Sequence, residues 1–187
     1  MSTKLITAPA SEPVSLAEAK LHLRVTSTDD DTLITALIAA ARETAEHEMG
    51  RSIISQTWEK ALDMFPDAIE LPPVASITSL KYLDSDGVEQ TLSTGSYTMD
   101  NASDTAPSWL TPAAGYGWPE TYADVNAVKV RYVAGWANAA AVPQGIKQWM
   151  LLNIGHWYEN REASTAGGLV ALPFIASLLD RYRVWTL

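Results

Sequence analysis

A chain of 187 residues with no cysteine must hold its core by packing alone, because neither a disulfide framework nor a thiolate metal site is open to it. Its formal net charge of -9 sets the average surface against phosphate, which argues against a protein that grips duplex DNA through Lys and Arg. No charged segment followed by an apolar run opens the chain and no stretch suits a bilayer, so a soluble, intracellular protein is expected.

Residues 1–13 are small, polar and proline-containing, which predicts a loose arm. Ser15-Leu16-Ala17-Glu18 has the form of a capping box and opens a short helix, with Leu16, Ala19 and Leu23 on one side, ending near Val25. Thr28 before Asp29, Asp30 and Asp31 predicts a second cap, with negative charge where the helix dipole favours it. Leu33, Ile34, Leu37, Ile38, Ala41, Ala45 and Met49 form the apolar stripe of that longer helix, and Gly50 is its stop. Arg42, Glu43, Glu46 and Glu48 lie mainly off the stripe and are expected to face water.

From residue 53 the period falls to two, which predicts a strand up to Pro66. Further strands are predicted over 69–71, 77–83 and 88–92, with Asp84-Ser85-Asp86-Gly87 as a hairpin turn, then over 97–99, 109–111 and 127–136. In the last of these, Val128, Val130, Tyr132 and Ala134 point one way and Lys129, Arg131 and Val133 the other. Residues 101–108 and 112–124 read as loops.

A long helix is predicted over 143–162, with Pro143 at its first position. It is apolar nearly all round, so it must be covered by the rest of the fold or by neighbouring copies. Trp149, Trp157 and Tyr158 on this helix, with Trp118 in the aromatic loop, are the candidate contacts between subunits. Residues 162–172, with Gly167-Gly168, read as a flexible connection, and Pro173 opens a last helix carrying Phe174, Ile175, Leu178, Leu179 and Tyr182. Two helices, a mainly antiparallel sheet and two more helices make an α+β chain, expected as one domain over 1–187.

Chemistry is hard to find. His22, His47 and His156 are far apart, and Glu43 with His47 on one helix face lacks the further ligands a metal needs. Asp84 to Gly87 lacks the remaining ligands of a calcium loop, and Gly115-Tyr116-Gly117-Trp118-Pro119 is no phosphate fingerprint. No nucleophile elbow or phosphate loop occurs, so no enzyme, metal or cofactor is expected.

The first half of the pattern is Pro13-Val14-Ser15-Leu16-Ala17-Glu18-Ala19-Lys20 with His22-Leu23-Arg24-Val25, the acidic cap, the Ala-rich helix ending in Gly50-Arg51, and Gln56-Thr57-Trp58. The second half is Val142-Pro143 with Ile146-Lys147-Gln148, then Trp157-Tyr158-Glu159-Asn160-Arg161-Glu162, Leu178-Leu179 and Tyr182-Arg183. In order and spacing these resemble the head-tail connector, or adaptor, proteins of tailed double-stranded-DNA bacteriophages, prophages and gene transfer agents. The likeness spans nearly the whole chain.

That resemblance implies a structural virion protein of the neck, present in the host cytoplasm during assembly. Its members form a ring, typically a dodecamer, that docks under the portal, connects capsid to tail and presents a surface to stopper or tail proteins. Double-stranded DNA passes through the lumen without specific binding, which suits an acidic conduit. The C-terminal helix and tail, residues 173–187, would reach the portal, with Arg181, Tyr182, Arg183, Val184 and Trp185 in the anchoring positions. The loop from Pro112 to Asp124 and the Asp84 to Gly87 hairpin are candidates for contacts to neighbours or to the tail side. Two alternatives stay open: another neck or tail ring, such as a head-closure or tail-completion protein, and a small ligand-binding or enzymatic domain using the loop around Trp118.

Overall fold

Alternating apolar and polar side chains over Val128–Ala134 give a strand with one buried face, and the computed structural model, which describes residues 2–160 and 173–185, places that strand in the middle of a five-stranded sheet. The strands are β1 (Ser2–Thr7), β2 (Gln56–Leu62), β3 (Ile69–Leu71), β4 (Val74–Leu83), β5 (Glu89–Thr91), β6 (Tyr97–Asp100), β7 (Ser108–Pro112) and β8 (Val128–Ala134). The helices are α1 (Leu16–Leu23), α2 (Asp31–Met49), α3 (Gln144–Glu159) and α4 (Pro173–Asp180). The fold is α+β, as the sequence predicts.

The described chain divides into two compact units, each drawn from separated stretches of sequence: Met1–Ala10, Ser55–Gly135 and Val184–Leu187 make the first, Ser11–Ile54 and Trp136–Arg183 the second. In the first unit the larger sheet runs β1-β2-β8-β4-β5 and a smaller one runs β3-β7-β6, with every strand pair antiparallel. One core serves both sheets: Leu62, Leu80, Val128, Val130 and Tyr132 from the larger pack with Ile69, Leu71 and Leu110 from the smaller. The Lys60 ammonium of β2 donates to the Glu70 carbonyl of β3, a polar tie between the sheets. On the solvent side, Glu59 and Arg131 stand directly opposite each other and pair at 2.7 Å.

Residues 2–7, read from sequence as part of a loose arm, instead form β1 along the free edge of β2. All six are exposed, so no alternation of buried positions marks them as a strand. The period-two segment over residues 127–136 supplies the central strand of the larger sheet.

In the second unit α3 packs against α1, α2 and α4. Ala41 and Ala45 of α2, both fully buried, let its backbone come close, and Ile146, Trp149, Met150 and Ile154 of α3 fill the space. The capping box of α1 forms as read: the Glu18 amide donates to Ser15 Oγ at 3.2 Å, and the Ser15 amide donates to Glu18 Oε2 at 2.7 Å. The Ser15 hydroxyl also donates to Glu18 Oε2 at 2.7 Å, and this bond first, then the one from the Ser15 amide, holds the Glu18 carboxyl below its ordinary pKa. Gly50 ends α2 with φ 68°.

Three local readings shift. The N-cap of α2 is Asp30 and not Thr28, and it makes no side-chain cap bond; its carboxylate instead accepts the Tyr158 hydroxyl at 2.5 Å. Pro143 precedes α3 as its N-cap, with ψ 139°, one position before the first helical residue. The helix stops at Glu159, with Asn160 donating back to the His156 carbonyl at 2.9 Å. The predicted connection over 162–172 lies outside the described residues.

Ile154→Ala is expected to lower stability by about 2–5 kcal/mol, because it opens a cavity against a rigid helix layer. Leu21→Ala, at an 81 % exposed position, is expected to change it by no more than about 0.5 kcal/mol. Urea unfolding midpoints of the two variants measure the difference.

Burial pushes the Tyr132 hydroxyl up to about 12. The folded state therefore holds that proton more tightly than the unfolded chain, so stability is intact below the ordinary tyrosine range near ~10 and falls as pH rises towards about 12. Tyr132→Phe is expected to remove this part of the alkaline loss, as read from thermal midpoints across the range.

Candidate partner-binding surfaces

For a chain without a recognisable catalytic motif, the question for each aromatic or charged side chain is how much of it the subunit itself consumes. Trp149 is only 3 % exposed and belongs to the core of the helical unit, which leaves it nothing to offer a neighbour. Trp157 and Tyr158 are half-buried against the same core, and the Tyr158 hydroxyl is bound to Asp30. Trp118 stacks on Phe65 with ring centres 4.7 Å apart and planes within 6°, while its indole N–H donates to the Asp67 carbonyl at 3.3 Å. The apolar excess read in the central helix is thus covered largely by α1, α2 and α4 of its own subunit.

Arg42 also departs from its solvent-facing expectation. It is buried, and its guanidinium meets Glu12 at 2.9 Å, Glu46 at 2.9 Å and Glu43 at 3.3 Å. Burial by itself pulls its pKa down, but the three carboxylates outweigh that and raise it above the ordinary arginine value. Glu46 in turn accepts the Ile53 amide at 2.8 Å, so one cluster fastens residue 12 and the start of the 53–55 segment to α2. Nearby, the Arg51 guanidinium lies 4.3 Å above the Trp136 ring.

The proposed anchoring residues divide by environment. Tyr182 is half-buried, and a Cβ added at Gly145 would meet its ring at 3.3 Å, so it packs closely on the start of α3. Arg183 faces Glu48 at 3.6 Å and Asp180 at 3.5 Å, and Val184 is half-buried. Arg181 is exposed, and Trp185 is 63 % exposed while its amide donates to the Thr105 carbonyl at 3.4 Å. Arg181 and Trp185 are therefore the members of this set that point outward.

A third surface includes the 112–124 loop and the 84–87 hairpin, which the sequence offers as contact candidates, but sequence reasoning missed that Met64, Val88 and Val125 join them. At one end of the larger sheet β2 and β4 finish and β5 and β8 begin, and the loops there carry Met64, Val88, Tyr122 and Val125, all between 48 % and 71 % exposed. An apolar residue in a stretch rich in Gly, Pro and Asp cannot be serving a strand's buried face, and that mismatch was the available signal. Among the described residues there is no cluster of side chains able to hold a metal ion, and no helix long and apolar enough to cross a membrane.

Residues 13–109, just over half of the chain, match the model of the phage gp6-like head-tail connector protein family. The chain belongs to that family. This connector is thus a structural protein of the head-tail junction and not an enzyme. No curated protein matches it. Among solved structures, a chain described as the neck of an empty gene transfer agent particle, computed with C6 symmetry, is similar over 100 % of this connector and 97 % of that chain, at 26 % identity and TM-score 0.82. A chain of the native gene transfer agent virion is similar with the same coverage, 27 % identity and TM-score 0.81. A third, from the neck of the native particle computed with C12 symmetry, has 25 % identity and TM-score 0.78.

Arg42→Ala is expected to cost about 2–3 kcal/mol, below the roughly 3–5 kcal/mol of a fully buried pair because water still reaches Glu12 and Glu43 and screens them. Glu43→Gln, whose side chain is 70 % exposed, is expected to change stability by less than about 1 kcal/mol. Thermal unfolding of both variants checks this order.

Proposed function

We propose that the connector forms a ring in the particle neck, docked beneath the portal, joining capsid to tail and lining part of the DNA channel. The observation that carries this reading is the correspondence of the whole chain with neck chains of gene transfer agent particles solved with C6 and C12 symmetry. A ring of twelve copies, built from one repeated head-to-tail contact, accords with both symmetries. An acidic subunit suits a conduit, because duplex DNA carries about one charge per ~1.7 Å and a basic lumen would hold it.

Portal contact falls to Arg181 and Trp185, exposed beside a tail whose Tyr182 and Arg183 are already engaged with their own subunit. The contacts between copies are assigned to the partly exposed faces of Trp157, Tyr158 and Trp118, with Trp149 supporting the first two from within their own core. Tail-side proteins complete the set of partners.

Purified connector mixed with the portal of the same particle is expected to co-migrate with it on size exclusion. Trp185→Ala is expected to weaken that association at least tenfold, as an exposed Trp in a hot-spot role would, while leaving the thermal midpoint unchanged. Co-migration with a tail protein and never with portal would assign the chain to a head-closure or tail-completion ring instead.

A further inference from the structure

The loop end of the larger sheet combines three properties that suit a surface with a partner. The first is apolar exposure: Met64, Val88, Tyr122 and Val125 come from three separate loops. Backbone amides hold those loops side by side, since that of Asn126 donates to the Asp63 side-chain Oδ1 at 2.9 Å and that of Tyr122 to the Leu83 carbonyl at 3.0 Å. The Tyr122 ring also lies 3.9 Å from where a Cβ on Gly87 would stand.

The second property is rigidity. Asp84 accepts the amides of Asp86 and Val88 at 3.1 and 2.9 Å and the Gln90 side chain at 2.8 Å, and these bonds, that from Gln90 first, hold its carboxyl below the usual range. Asp124 Oδ1 accepts the Val125 amide at 2.7 Å. Loops tied in this way lose little freedom on association.

The third is charge of one sign. Residues 63–67, 84–88 and 113–127 contain Asp63, Asp67, Asp84, Asp86, Glu120 and Asp124, six acidic residues, and no Lys, Arg or His. Such a surface repels nucleic acid and anionic lipid, and it complements a cationic protein face. A second copy of this chain matches it poorly, because the chain is acidic overall at -9 and among the described residues Lys20, Arg42, Lys81, Arg131, Lys147 and Arg183 each already stand against a carboxylate of their own subunit.

We propose that this loop end is a docking surface for a different protein of the neck, one that presents Lys and Arg around apolar sockets able to receive Met64, Val88, Tyr122 and Val125. The assignment rests on the neck reading above and names the chemistry of one partner. The apolar side chains supply the contact energy, and the carboxylates set orientation and reject acidic partners, additional copies of this chain included.

The test places the photo-crosslinking residue p-benzoylphenylalanine at Val125, with a second placement at Val88 and a control at Leu21, in particles whose only copy of the connector carries it. After irradiation of purified particles, mass spectrometry is expected to find Val125 and Val88 joined to a different particle protein, at a peptide with Lys or Arg next to the adduct, and Leu21 not joined to it. Asp86→Lys combined with Glu120→Lys, both at exposed positions, is expected to cut the yield of that adduct at least tenfold with the thermal midpoint unchanged. Adducts only with other copies of the connector, with an acidic peptide, or with nothing overturn the proposal while the connector's presence in the particles keeps the neck reading. Absence of the connector from the particles overturns both. A yield unaffected by the charge reversal removes the cationic partner.

Discussion

The larger sheet depends on β8, which is the last strand in the sequence and the central one in space. It is hydrogen-bonded along β2 on one side and β4 on the other, and its inward residues Val128, Val130, Tyr132 and Ala134 are the floor on which the smaller sheet rests. Until residue 134 has been added, β2 and β4 have no common neighbour. The pairing that completes the sheet spans long loops, as in Glu59 with Arg131, so it carries a larger closure entropy than a hairpin would. Immediately afterwards the Trp136 amide donates to the Ile53 carbonyl at 2.8 Å, which brings the two segments flanking β2 and β8 together.

Much of the acidity that looks like mere surface charge in the sequence works as fastening. Glu18 closes the capping box, Asp30 holds Tyr158, Asp31 meets Lys20 at 2.5 Å, Glu46 binds both Arg42 and the Ile53 amide, and Asp63 and Asp84 tie loops. A carboxylate accepting a backbone N–H satisfies a donor that a loop would otherwise leave to water. The result is a subunit whose irregular segments are pinned in many places. That suits a protein whose task is to keep surfaces in register rather than to move atoms through a reaction.

The elements most readable in sequence were those whose burial imposes a period. The α2 stripe from Ile34 to Met49, the β8 alternation and the capping box at Ser15 all rest on local chemistry, and the structure has them where the spacing puts them. What escaped was set by distant residues. β1 has no buried face to betray it, and the division into two sheets depends on which strands find each other across tens of residues. Arg42 looked solvated because its partner Glu12 is thirty positions away. Trp149 looked like surplus because one helix alone cannot show that three others will cover it. The outward-facing residues were legible only in part: Trp185 stood out, while Met64, Val88 and Val125 sit in turns where nothing but the finished sheet reveals their grouping.

Each of the two compact units is stitched from non-adjacent stretches, and the polypeptide passes from one to the other after Ala10, Ile54, Gly135 and Arg183. No single contiguous exchange within the gene can therefore replace one unit whole and leave the other untouched. Relatives of this protein should diverge by drift across the entire length, or be traded whole, and not as a mosaic of interchangeable halves.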